Sequence, residues 1–206
     1  MASFGSGVVT AANLADDTIT DAKMQAQTTT KITVPASLTT GFTNINAGAS
    51  TNVEGASNAA ESAGFNGTLT WTKVTGVGTA GQLKRITNLA VFNGATVAGN
   101  IRLCVHADVG GVVGGLVGET ISTAQAGTSA FQDIAVAGHG IAGTGTVFWV
   151  GVQCSNVLAT LKYEDGPAKA SLTFVYGDAP QTGSGAAAGT TVAPYVRLSF
   201  VPFDST

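Results

Sequence analysis

From Thr68 onward the chain alternates apolar and polar residues with a period of two. The run TLTWTKV (Thr68 to Val74) interleaves leucine, tryptophan and valine with threonine and lysine, the mark of a half-buried strand. Further strands are predicted at Lys84 to Phe92, Asn100 to Ala107, Leu116 to Thr123, Ala130 to Val136, Thr146 to Cys154, Asn156 to Tyr163, Ser171 to Tyr176 and Tyr195 to Val201. Turn chemistry separates them, as at Asn93-Gly94, Gly99-Asn100 and Asp165-Gly166-Pro167. No segment of helical period interrupts the series, so the pattern predicts an all-β fold of antiparallel strands, a sandwich or a barrel.

Two strands carry finer information. Ile101, Leu103, Val105 and Ala107 fall on one face of their strand and Arg102, Cys104 and His106 on the other, as expected of an antiparallel strand with one side on the core. Phe148 to Val152 (FWVGV) is apolar without a break, which predicts a central strand covered on both faces with Trp149 buried. The glycine-rich run Gly110 to Gly118 lacks the Lys-Ser/Thr pair of a phosphate loop and reads as a wide hairpin loop. Gly183 to Gly189 (GSGAAAG) reads as a flexible loop before the last strand.

The pattern is weaker upstream. Residues 31–67 hold a short extended stretch, Lys31 to Pro35, and an Asn-, Ala-, Ser- and Gly-rich tract, read as peripheral strands or as a linker to a sandwich spanning 31–206. Within residues 1–30 the apolar positions Leu14, Ile19 and Met24 are too sparse to bury a core of their own. This segment is expected to be an extended arm that docks. A short terminal helix capped at Asp17 or Thr18 is the other reading of the same residues.

Composition changes the picture in one respect. Only 10% of the 206 residues are charged, against about 25% in ordinary soluble domains, so much of the surface is expected to be covered by neighbours or dressed in Thr, Ser, Asn and Gly. The formal charge of −3 and nine scattered Lys and Arg give no basic stripe for nucleic acid. No run is long and apolar enough for membrane insertion, and the first thirty residues lack the basic and apolar regions of an export signal. Cys104 and Cys154 leave pairing open, with free thiols favoured in a chain made in the cytoplasm.

Chemistry-bearing clusters are thin. Cys104, His106 and His139 fall short of a zinc ligand set, so no metal is expected. Asp108, Glu119, Asp133, Glu164 and Asp165 sit in no recognisable catalytic spacing, and no nucleophile elbow is present. No enzyme activity and no cofactor are expected. Carbohydrate contact is the best-motivated chemistry, because sugar rings stack on aromatic faces, with Trp71, Tyr163, Tyr176 and Tyr195 as candidate contacts.

Leu14 to Met24, LADDTITDAKM, resembles the LADGTITTAKI-type units found near the N-termini of phage tail-fibre and other virion-attached proteins, with Asp17 where Gly is common and a single copy present. Ile101 to Glu119 resembles a hairpin-like connection in jelly-roll domains of phage surface proteins and carbohydrate-binding modules, which implies that the fold is an antiparallel β-sandwich of jelly-roll topology. The resemblance implies a phage structural protein at the virion surface, a fibre or spike anchored by its arm to a capsid or tail protein, with host-surface glycan adhesion. It also implies a homotrimer, with Leu14, Ile19 and Met24 at the attachment and oligomerisation contacts. Capsid decoration that stabilises the shell is the alternative.

Deleting residues 1–30 is expected to leave cooperative unfolding of the remainder intact while abolishing incorporation into particles. Circular dichroism melts and the composition of purified virions check the two halves of this statement.

Overall fold

The computed structural model describes residues 50–57, 60–62, 65–137, 141–142, 144–164, 168–188 and 192–202. Leu14, Ile19, Met24, His139 and Asp165 lie outside these residues. The chain divides into two units, residues 1–43 and 44–206, and the sandwich belongs to the second.

Fifteen strands and no helix make up the described residues. The first six are β1 (Thr51–Gly55), β2 (Ala60–Ser62), β3 (Thr68–Thr75), β4 (Lys84–Phe92), β5 (Asn100–Val109) and β6 (Val112–Thr120). Next come β7 (Thr123–Ala124), β8 (Phe131–Ala137), β9 (Ile141–Ala142), β10 (Val147–Cys154) and β11 (Leu161–Glu164). The last are β12 (Lys169–Thr173), β13 (Ala187–Ala188), β14 (Ala193–Pro194) and β15 (Val196–Pro202). The main hydrogen-bonded path runs β1-β15-β4-β8-β6-β5-β10-β3-β12-β13, and a small sheet β14-β11-β2 stands apart from it.

Inner-face residues from both halves of that path meet in one core. Leu89 and Val91 of β4 and Leu198 and Phe200 of β15 share a cluster with Leu103 and Val105 of β5, Val150 and Val152 of β10 and Val74 of β3. The path is therefore folded over at the short β6–β8 contact into two leaves, β1-β15-β4-β8 and β6-β5-β10-β3. Counted along the chain, the eight strands of these leaves lie in the order first, eighth, third, sixth and fifth, fourth, seventh, second, which is the winding of a jelly roll. Strands β12 and β13 extend the second leaf beyond β3. At the opposite edge Gly55 of β1 closes against β3, where a Cβ would come within 2.8 Å of Val74 Cγ2.

The inner face of β5 is as expected, with Ile101, Leu103 and Val105 in the core, but the strand is not half-buried: Cys104 and His106 on its other face are buried as well. The β10 expectation holds as well: Phe148, Val150 and Val152 face inward, and Trp149, on the other face, is 3% exposed. Both cysteines are free. Cys154 lies in the inner core and Cys104 in a second cluster on the far side of the same leaf, so the sheet itself separates them. Burial raises both thiols, Cys154 to about 12.

Three local expectations are corrected. Gly110 to Gly118 is not a wide loop: Val109 pairs with Val112 across a two-residue turn in which Gly110 and Gly111 both take positive φ, and the remaining glycines are strand. Asn156 to Thr160 is not strand, because Asn156 Oδ1 accepts the Leu158 N–H at 2.9 Å and folds the segment into a turn that leaves Val157 and Leu158 exposed, and strand begins only at Leu161. Residues 183–188 are not a free loop: the Gly183 N–H donates to Gly114 O at 2.9 Å, and Ala187 and Ala188 pair with β12.

Trp149→Ala is expected to cost about 3–5 kcal/mol as a large-to-small change at a buried site. Denaturant unfolding followed by circular dichroism measures it, and an unchanged midpoint would mean that the outer face of β10 is open to water.

Candidate functional site

The two leaves differ on their outer faces, and that difference locates the site. On the second leaf Leu69, Trp71, Cys104, Val113, Trp149 and Ala170 form an apolar layer facing away from the core. A strap of residues 174–186 crosses this layer and returns. The Gly177 N–H donates to Gln153 Oε1 at 3.1 Å, Asp178 pairs with Arg102, and the Ala179 N–H donates to Glu119 Oε2 at 2.9 Å. Farther on, the Leu116 N–H donates to Gln181 O at 2.8 Å.

His106 holds the middle of the strap. The indole N–H of Trp71 can only donate, so Nδ1 of His106, 3.2 Å away, must accept; the carbonyl of Pro180 can only accept, so Nε2, 2.9 Å away, must carry the hydrogen. The buried ring is thus neutral in one tautomer, and burial holds its pKa below the usual histidine value, with the Pro180 bond and the Glu119 charge opposing. Under this cover Trp71 is 0% exposed. Its candidacy for glycan contact is corrected: the strap removes its stacking face from the surface.

The other three tyrosine candidates are half-buried and do not converge. Tyr176 stands on the strap with its hydroxyl 2.7 Å from Ser122 Oγ, and Tyr163 lies in the small sheet opposite Ala60 and Pro194. Tyr195 is on the first leaf, whose outer face carries no strap among the described residues.

That face is arranged in rows across the strands. Tyr195, Phe92 and Phe131 form an aromatic row: Phe92 stacks on Tyr195 at 5.5 Å with 19° between planes, and Phe131 meets Phe92 and Tyr195 at 5.0 and 4.7 Å. The cross-strand registers Glu54↔Arg197↔Ala90↔Asp133 make the next row a charged one. Asn52, Ser199, Asn88 and Ala135 make a polar third, in which Ser199 Oγ donates to Asn52 Oδ1 at 2.7 Å. Arg197 bridges the first two rows, its guanidinium 4.3 Å from the Phe131 ring centre and its NH2 group 2.5 Å from Asp133.

Tyr195 donates its hydroxyl to Glu54, and burial first, then this bond, pushes its pKa up to about 12, so the phenol stays a donor at any ordinary pH. A buried amide bracket fixes the row from behind. Asn93, next to Phe92, donates to Ala126 O at 2.7 Å and to Gln132 Oε1 at 3.1 Å, and accepts from Gln125 at 2.9 Å. Arg197 Nε is buried without a hydrogen-bond partner, alone in this among side-chain polar atoms of the described residues.

Phe92 and Phe131 were not singled out from sequence. Each borders a turn at a strand end, Phe92 before Asn93-Gly94 and Phe131 after Ser129-Ala130, and that shared placement was the available signal. A pocket of about 50 Å³ beside Trp149, lined by Val113, Lys169 and Gly183 among others, holds no more than a few waters. No group of three metal-ligating side chains occurs among the described residues. No protein-family model, curated protein or solved structure matches the chain.

Stability is expected to decline as pH falls below about 6.5, where the unfolded chain binds a proton that folded His106 resists, and to level off once the folded ring also titrates. Melting temperatures of the wild type and His106→Gln between pH 7.5 and 4.5 check this: the variant should lose that part of the slope.

Proposed function

We propose that this chain is a non-enzymatic phage structural protein at the virion surface, a fibre or spike whose sandwich adheres to host-surface glycan through the uncovered face of its first leaf. The observation that carries the adhesive part is the row Tyr195, Phe92 and Phe131 lying beside Glu54, Arg197 and Asp133. Aromatic rings accept the C–H faces of sugars, and flanking carboxylates and a guanidinium hydrogen-bond their hydroxyls. The virion assignment, the docking arm and the trimer rest on the resemblance of Leu14 to Met24 to phage attachment units.

One observation favours the second reading, a decoration protein that stabilises the shell. Ile121 adjoins Ser122, Val175 adjoins Tyr176, and Ser122 and Tyr176 are hydrogen-bonded. Ile121 and Val175, 63% and 86% exposed, thus each stand one residue from this contact. An apolar edge of this kind suits burial against another protein.

Phe131→Ala with Tyr195→Ala is expected to lower adsorption of the purified protein to host cells at least tenfold, while Ile121→Ser with Val175→Ser leaves it unchanged. If only the second pair has an effect, and that effect is loss of shell stability on heating virions, the decoration reading replaces adhesion.

A further inference from the structure

Resting on the adhesion reading, we infer that the uncovered face selects uncharged, hydroxyl-rich sugars and rejects acidic ones. The charged row sets one cation between two carboxylates, Glu54 on one side of Arg197 and Asp133 on the other. Arg197 is not available to a ligand anion, since its NH2 group is already 2.5 Å from Asp133 and its plane lies over Phe131. No other Lys or Arg occupies the three rows, whose remaining members are Tyr195, Phe92, Phe131, Ala90, Asn52, Ser199, Asn88 and Ala135. A uronate, sialate or phosphate laid along the aromatic row would therefore face two exposed carboxylates with no free cation in compensation.

The same groups suit a neutral ring. Glu54 and Asp133 are exposed acceptors, and sugar hydroxyls are the donors that carboxylates bind with charge-assisted hydrogen bonds. Glu54 already accepts from Tyr195, which fixes the carboxylate beside the ring instead of leaving it to swing into solvent. The spacing also matches: adjacent strands are about 4.8 Å apart, so the charged row runs parallel to the aromatic one along a strip four strands wide. A saccharide chain lying across the strands keeps its rings on one row and its hydroxyls on the other.

The test is retention in native gels cast with soluble polysaccharides, using dextran, laminarin and galactomannan as neutral probes and polygalacturonate, heparin and polysialic acid as acidic ones. A neutral probe is expected to retain the wild type, at least tenfold more weakly for Phe131→Ala and Tyr195→Ala, and within about threefold of wild type for Tyr195→Phe, which keeps the ring. Circular dichroism confirms that each variant is folded. Glu54→Gln with Asp133→Asn should gain retention by an acidic probe at low salt. Retention of the wild type by an acidic probe through Tyr195 and Phe131 would overturn the selectivity and leave adhesion standing. Retention by no probe, with cell adsorption still sensitive to Tyr195→Ala, would likewise overturn the neutral-sugar assignment alone; insensitivity of adsorption to that substitution would overturn both.

Discussion

Trp71 and Trp149 sit on the outer face of their leaf, and burying two indoles on the side away from the core obliges the chain to supply a third layer. A leaf flanked by the sandwich core on one face and water on the other tolerates threonine or lysine outside, whereas each indole left in water forgoes about 1.5–3 kcal/mol of burial or more. The strap meets this demand, and other features follow from its presence. Gly151 has no side chain because a Cβ there would lie 2.6 Å from Cys104 Sγ and 2.7 Å from Trp71 Nε1. Gly183 lets the returning strap come within hydrogen-bond distance of Gly114, since a Cβ at Gly183 would collide with Val113.

The few charges of the chain serve the same end. Lys73 pairs with Asp108, which also accepts from Trp149 Nε1 at 2.8 Å and so orients the second indole. Arg102 pairs with Glu119 and Asp178, joining β5, β6 and the strap. Lys84 is buried with no carboxylate beside it among the described residues and donates to the carbonyls of Gly145 and Thr79 at 2.6 and 3.2 Å, while burial lowers its pKa. Exposed ion pairs contribute about 0–1 kcal/mol each, so these brackets matter less as energy than as geometry that fixes where one segment crosses another. Low charge in this sandwich is a matter of use as well as number.

What could be read from the sequence was set by range. Alternation is local, so the inward faces of β5 and β10 were legible in Ile101, Leu103, Val105 and in the unbroken FWVGV run. The all-β class was legible from the count and spacing of strands without helices, whereas the jelly-roll winding was suggested only by the resemblance of Ile101 to Glu119. The strap was not, because its partners are remote: Pro180 meets His106 across 74 positions and Ala179 meets Glu119 across 60. Without the strap Trp71 reads as an exposed aromatic in an alternating strand, and that is how it was misplaced. Val157 and Leu158 failed for the opposite reason, a local Asn156 turn stronger than the apolar pattern around it. The aromatic row lies in between: Tyr195, Phe92 and Phe131 all stand near strand ends, and only the cross-strand register brings the three together.

The unlike outer faces bear on the site itself. Where the strap covers the second leaf, the N–H groups of Gly177 and Ala179 and both nitrogens of His106 have partners. On the first leaf Phe92, Phe131 and Tyr195 remain half-exposed, and Arg197 keeps a buried Nε without a partner. An unpaired buried donor costs about 1–3 kcal/mol, and a second layer like the strap would have been an available remedy in a fold that already builds one. Local rules are relaxed most often where a surface answers to something other than its own stability. The amide bracket of Asn93, Gln125 and Gln132 behind the aromatic row supports the same view, since it holds the rings in register while no second layer covers them among the described residues.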